Sequence, residues 1–179
     1  MKQLLEKFKQ EKKVVSIYND SADTGNCWTG FVNEVDDDYV LLINITEHGV
    51  YDGVTLLVLD EIINIEEGSM YEKRVQRLYE LRNQKYNKLS IEAMDDLLEG
   101  MLNYAKEKEK FITITLTEDD DYPITGIIED IEDDYICIKA FKSNCEDNGF
   151  AYVKQEDIYQ VFMDSLVEQD YALLYKNVE

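Results

Sequence analysis

Thr29-Gly30-Phe31-Val32-Asn33-Glu34-Val35-Asp36-Asp37-Asp38-Tyr39-Val40 is answered 96 residues later by Thr125-Gly126-Ile127-Ile128-Glu129-Asp130-Ile131-Glu132-Asp133-Asp134-Tyr135-Ile136. The register continues outward from there. Gly53 falls on Gly149, Asp60-Glu61-Ile62 on Glu156-Asp157-Ile158, Ser69-Met70-Tyr71-Glu72 on Ser165-Leu166-Val167-Glu168, and Leu78-Tyr79 on Leu174-Tyr175. Upstream, a slip of one residue lays Val15-Ser16-Ile17 over Ile112-Thr113-Ile114 and Leu4-Leu5 over Met101-Leu102. A constant offset over that span reads as a tandem duplication, which sets the folding unit before any residue is assigned a role.

Within each copy the pattern is a short helix, a series of short strands and a closing helix. In the first copy, Val15 and Ile17 alternate with polar residues, and Cys27 to Val35 is a second strand with Gly30 where a bend or a close backbone approach is cheap. Asp36 to Asp38 makes a tight acidic turn. Tyr39 to Ile45 is almost continuously apolar, as expected of a strand buried on both faces or at a subunit contact. A loop from Glu47 to Gly53 leads to strands at Val54–Leu59 and Ile62–Ile65. Five short strands so closely spaced predict a small closed barrel. Ser69 and Ser165 each precede a glutamate by three residues, which is the spacing of a helix-capping box. Tyr71, Val75, Leu78 and Tyr79, and their counterparts Val167, Tyr171, Leu174 and Tyr175, form helical stripes suited to core or docking surface. Ser90 is placed to cap a further helix, with Leu89 and Met94 as a staple. Pro123 stands at a strand start, where a missing amide donor is tolerated.

The expected organisation is therefore a first unit over 1–82 (helix, barrel 14–66, helix 69–82) and a second over 83–179 (helix 90–108, barrel 111–162, helix 165–176). The fold class is α+β.

Charge and cysteine content narrow the function. The 179 residues carry 39 acidic side chains against 18 basic ones, a formal charge of −21. That balance favours solubility and repels polyanions; binding to nucleic acid gains from many lysines and arginines. Nucleic-acid and anionic-membrane partners are disfavoured overall, although a local basic patch is compatible with the total. No apolar run approaches the ~18–20 residues of a membrane span, and residues 1–13 do not read as a secretory signal. Three irregularly spaced cysteines form no disulfide framework, which suits a reducing cytoplasm.

Gly30, Val32, Val35 and Asp36 followed by Tyr39-Val40-Leu41-Leu42, matched by Gly126, Ile128, Ile131 and Glu132 followed by Tyr135-Ile136-Cys137-Ile138, resemble the first signature of the Sm-like (LSm) superfamily, closest to its bacterial Hfq-type RNA chaperones. The resemblance implies two tandem five-stranded, SH3-like β-barrels, each with flanking helices. It also implies a tendency of strand edges to pair into rings. At the family's RNA-contact positions this chain carries Val40 and Ile136 in the first signature, and Leu59-Asp60 and Gln155-Glu156 in the second. An acid at a phosphate or base edge repels it, so no RNA-binding residue carries over.

The remaining candidates are weak as chemistry. His48 is the only histidine and has Asn144 as its counterpart, so a histidine-based triad has no repeated partner. Cys27 flanks Trp28, and Cys137 replaces Leu41 as a small hydrophobe. Cys145 stands beside Glu146 and Asp147, which would raise its thiol pKa. No Cys-x-x-Cys spacing suggests zinc, no acidic loop has EF-hand spacing, and no glycine-rich phosphate loop is present. Catalytic, cofactor and metal residues are thus expected to be absent.

The expected function is a non-enzymatic, acidic protein-interaction or scaffold role. Its surface would be Asp36, Asp37, Asp38 and Asp60 in one unit and Glu132, Asp133, Asp134 and Glu156 in the other. The partner would be a basic protein surface, or another copy paired through the fourth and fifth strands at 54–65 and 150–161. The alternatives are RNA or single-stranded nucleic-acid binding as in Hfq-type riboregulators, and an acidic nucleic-acid mimic acting as an inhibitor or immunity protein.

Overall fold

The structure is a computed structural model that describes residues 1–19, 26–85, 89, 91, 96–116 and 123–177. Ser90, Met94, Gly25 and the acids at 118–121 lie outside the described residues. Two compact units emerge, Met1–Leu97 and Leu98–Glu179.

The first unit runs α1 (Lys2–Glu11), β1 (Val14–Tyr18), β2 (Trp28–Val35), β3 (Tyr39–Ile45), β4 (Tyr51–Val58), a 3-10 turn at Leu59–Glu61, β5 (Asn64–Glu67) and α2 (Met70–Leu81). The second runs α3 (Leu97–Glu107), whose first residue closes the first unit, then β6 (Phe111–Leu116), β7 (Ile124–Ile131), β8 (Tyr135–Phe141), β9 (Asp147–Lys154), a 3-10 turn at Gln155–Asp157, β10 (Ile158–Met163) and α4 (Leu166–Lys176). The α+β class holds.

The closed barrels do not. Within the first unit the strand order is β5-β1-β2-β3-β4, and within the second β10-β6-β7-β8-β9. Every pairing described inside the units is antiparallel. Closure would require the last two strands of each unit to pair with each other. β5 lies on β1, with Val15 opposite Glu67 and Ile17 opposite Ile65, and β10 lies on β6, but among the described pairings β4 does not meet β5 and β9 does not meet β10. The Ile63 amide donates to the Tyr18 carbonyl at 2.8 Å and directs the chain onto β1. Each unit is therefore an open five-stranded sheet rather than the barrel that the Sm-like resemblance implied.

The repeat is kept to the level of single bonds. Val15 pairs with Gly30, and Ile112 with Gly126, which realises the one-residue slip. A Cβ on Gly30 would sit 1.9 Å from the Ile43 carbonyl oxygen, and one on Gly126 2.1 Å from that of Lys139. Both glycines are therefore demanded by close strand approach. Bulges follow at the same place in both copies, between Val32 and Glu34 and between Ile128 and Asp130. Asp36 N–H donates to the Tyr39 carbonyl at 3.0 Å, and Glu132 N–H to that of Tyr135 at 2.9 Å.

Both capping boxes form, and they reach further than their local spacing implies. Glu72 is 2% exposed and Glu168 3%. Glu72 Oε2 accepts from the Ser69 amide at 2.9 Å, while its Oε1 accepts from Ser16 Oγ in β1 at 2.7 Å. Glu168 accepts in the same way from the Ser165 amide at 2.9 Å and from Thr113 Oγ1 in β6 at 2.6 Å. Ser16 also meets Thr29 at 3.2 Å, and Thr113 meets Thr125 at 3.0 Å. A buried carboxylate is costly unless its lone pairs are satisfied. Here it ties the closing helix to the first two strands. Burial pushes the Glu72 carboxyl upward, but the bonds from Ser69 and Ser16 outweigh it and hold the group below its usual range.

The core of the first unit gathers Leu5, Phe8, Val15, Ile17, Val32, Val40, Leu42 and Leu57 around the sheet. Val75 and Tyr79 of α2 are buried, whereas Val167, Leu174 and Tyr175 of α4 are 54%, 45% and 41% exposed. The two helical stripes, alike in sequence, are covered to different degrees.

Candidate functional site

The acidic residues assemble into two equivalent poles. The Leu59 amide donates to the Asp38 carbonyl at 2.7 Å, which seats the 3-10 turn carrying Asp60 on the Asp36–Asp38 turn. The Gln155 amide donates to the Asp134 carbonyl at 3.0 Å and does the same for Glu156 beside Glu132–Asp134. Asp37, Asp38, Asp60, Glu132, Asp133, Asp134 and Glu156 are exposed. Asp36 differs. Its Oδ1 accepts from the Asp38 and Tyr39 amides at 2.9 and 2.6 Å, and its Oδ2 accepts from the Leu97 amide at 2.7 Å. It is occupied in shaping the chain. Lys2 meets Asp37 at 2.7 Å, and Lys154 meets Glu156 at 3.2 Å. The Tyr39 and Tyr135 phenols beside the poles are pushed upward, by burial first and then by the surrounding carboxylates.

The two expected strand edges are not alike. In β4, Val54 and Leu56 are 2% and 1% exposed; in β9, the matching Phe150 and Tyr152 are 60% and 70% exposed. Alternation along a strand puts those two rings on one face, while Val153 points to the buried side. Among the described pairings, β9 meets β8 alone, through Lys139–Phe150, Cys137–Tyr152 and Ile136–Val153. Such an edge offers unpaired backbone donors and acceptors to an added strand.

A third feature was not foreseen. The second unit holds a cavity of about 800 Å³ lined by Lys106, Lys108, Lys110, Lys139 and Lys176. Its apolar lining includes Phe111, Ile127 and Leu173. Phe111 belongs to a ring cluster with Phe141, Tyr171 and Tyr175, at centroid separations of 5.3–5.7 Å. Lys106 pairs with Asp130 at 2.7 Å, Lys110 with Asp164 at 2.9 Å, and Lys139 loosely with Asp147 at 3.9 Å. This is the local basic patch that net charge leaves room for. Lys106, Lys108 and Lys110 alternate with Glu107 and Glu109, and Lys139 and Lys176 come from further along the chain, so no run of like charge announces it.

The remaining candidates stay bland. His48 is exposed beside Glu47, and its carbonyl accepts from Arg82 Nε at 2.8 Å. Cys145 is buried; its Sγ donates to the Tyr171 carbonyl at 3.6 Å, and burial, not the neighbouring acids, pushes its thiol pKa up. Val40 and Ile136 are fully buried in the core. Among the described residues, no three His, Cys, Asp or Glu side chains converge to hold a metal ion, and no helix is long and apolar enough to cross a membrane.

The comparisons assign no family. No protein-family model, curated protein or solved structure matches the chain.

Proposed function

We propose that the chain is a non-enzymatic protein-interaction module of the cytoplasm, whose second unit takes up a basic, strand-forming segment of another protein along β9. The observation that carries this reading is the edge itself, with Phe150 60% and Tyr152 70% exposed on a strand paired at one side among the described residues. Strand addition draws affinity from backbone hydrogen bonds and specificity from alternate side chains. Exposed aromatic pairs supply contact area at low entropic cost.

Charge selects the partner. Asp147 lies on the strand, Glu146 just before it and the Glu132–Asp134 pole at its far end, in a chain of net charge −21. A second copy carries the same charge and is repelled; a lysine-rich segment is attracted. The reducing compartment is supported by Cys27, Cys137 and Cys145, all free thiols.

The test uses a fluorescent ten-residue peptide of alternating lysine and valine as probe, titrated against the full chain by anisotropy. Binding should weaken as salt rises. Phe150→Ser and Tyr152→Ser should each cost about tenfold, the scale of an aromatic interface anchor. Equal binding by both variants would refute the edge. Salt-insensitive binding would refute charge selection. Sedimentation is expected to find a monomer, and dimers abolished by Phe150→Ser would replace the basic partner with a second copy.

A further inference from the structure

We propose that the cavity of the second unit binds a small amphiphilic anion, with its acidic head at Lys108 and Lys176 and its apolar body against Phe111, Ile127 and Leu173. The duplication provides the control that a single unit lacks. Residues that hold the architecture recur in both copies: Gly30 and Gly126, Ser69 and Ser165, Glu72 and Glu168. Two of the cavity lysines belong to that set. Lys9 of α1 pairs with Glu34 as Lys106 of α3 pairs with Asp130, and Lys13 stands where Lys110 does. The other three do not recur. Lys108, Lys139 and Lys176 stand where the first unit has Glu11, Ile43 and Glu80, and Leu173 stands where it has Arg77. The same fold is built without them, so the scaffold does not require them.

Their effect is to invert the local chemistry. Two carboxylates become ammonium groups, an aliphatic side chain becomes a third, and a guanidinium becomes a leucine. Acids outnumber bases 39 to 18 in the chain, yet this cavity gathers five lysines against Glu109, Glu129, Asp164 and Glu168. Two of those acids are already engaged, Asp164 by Lys110 and Glu168 by Ser165 and Thr113. Among the described contacts, Lys108 and Lys176 have no acidic partner, and Lys139 has only the loose contact to Asp147 and the Phe141 ring 5.6 Å beneath it. A volume of about 800 Å³ lies in the usual range for a small-molecule pocket, and its lining is mostly charged, with Phe111, Ile127 and Leu173 among its apolar part. A polyanion would also meet the acidic remainder of the surface; a compact anion with an apolar body would not.

The probe is 8-anilinonaphthalene-1-sulfonate, an apolar body bearing one sulfonate, titrated by fluorescence into the intact protein. Dodecanoate should displace it, and dodecyltrimethylammonium at the same concentration should not. The double variant Lys108→Glu/Lys176→Glu restores the first unit's residues at exposed positions and should weaken dye and dodecanoate about tenfold or more, since each reversal counts roughly twice a surface charge interaction. Leu173→Arg should weaken both as well. Glu80→Lys in the first unit, and Phe150→Ser with Tyr152→Ser on β9, should leave dye binding unchanged, which separates this site from the strand edge. Circular dichroism and urea midpoints matching wild type verify that the variants fold. Affinity within twofold of wild type in the double variant would overturn the proposal. So would equal displacement by the cationic detergent, or displacement by polyglutamate as effective as by dodecanoate.

Discussion

Removing the buried carboxylate of Glu72 should unfasten α2 from β1, and the size of the effect follows from its two bonds. Oε1 receives Ser16 Oγ at 2.7 Å and Oε2 receives the Ser69 amide at 2.9 Å, with the residue 2% exposed. Hydrogen bonds to a charged group contribute about 1.5–3 kcal/mol each. Ser16 keeps Thr29 at 3.2 Å as an alternative partner, so the Ser69 amide bears most of the loss. Glu72→Ala should therefore cost about 3 kcal/mol, or about 12–24 °C in Tm for a unit of this size. Glu72→Gln keeps one acceptor oxygen and should cost about 1–2 kcal/mol. Urea unfolding followed at Trp28 is the assay, because the chain's single tryptophan lies in β2 of the same unit and donates to Asn19 Oδ1 at 3.2 Å. Acid adds a second signature. The Glu72 carboxyl is held below its ordinary value of 4.5, so its contribution is complete above that value and is lost as pH falls through the lower, folded-state value. Wild type should lose stability across that interval and Glu72→Gln should lose less. Variants within about 0.5 kcal/mol of wild type, with an unchanged acid profile, would refute the mooring.

Further outcomes follow from backbone and burial. Gly30→Ala and Gly126→Ala place a methyl within 1.9 and 2.1 Å of a carbonyl oxygen, and each should sharply reduce soluble yield or lower the urea midpoint by the equivalent of about 3 kcal/mol or more. Gly68→Ala meets nothing within 4 Å but sits at φ +70, so its cost should be only about 1 kcal/mol of backbone strain, read from the same urea curves. In a thiol titration of native protein, half-buried Cys27 should react before buried Cys137 and Cys145, the latter slowed further by its raised pKa; simultaneous reaction of all three would contradict the packing.

Local features were legible in the residues, and long-range ones were not. The capping boxes at Ser69 and Ser165 and the apolar strand Tyr39–Ile45 rest on short-range pattern, the one-residue slip between the first two strands rests on the repeat, and the structure contains each of them. Barrel closure depends on whether the outer strands of each unit, β4 with β5 and β9 with β10, bend far enough to meet. Periodicity does not encode that bend, and the described pairings contain neither contact. The apolar stripe of α4 reads like that of α2, but a stripe does not say what covers it, and Val167 and Leu174 remain exposed. The reach of Glu72 and Glu168 to strand hydroxyls was hidden for the same reason. The lysine cavity does leave a trace in the repeat: aligning the two copies sets Lys108 against Glu11, Lys139 against Ile43 and Lys176 against Glu80.

Hydrogen–deuterium exchange of the full chain, with and without the lysine–valine peptide, tests the functional reading most directly. Strand addition predicts slowed exchange confined to Asp147–Lys154, with no change across Asn64–Glu67. Protection absent from β9, or appearing instead around Lys108 and Lys176, would contradict it.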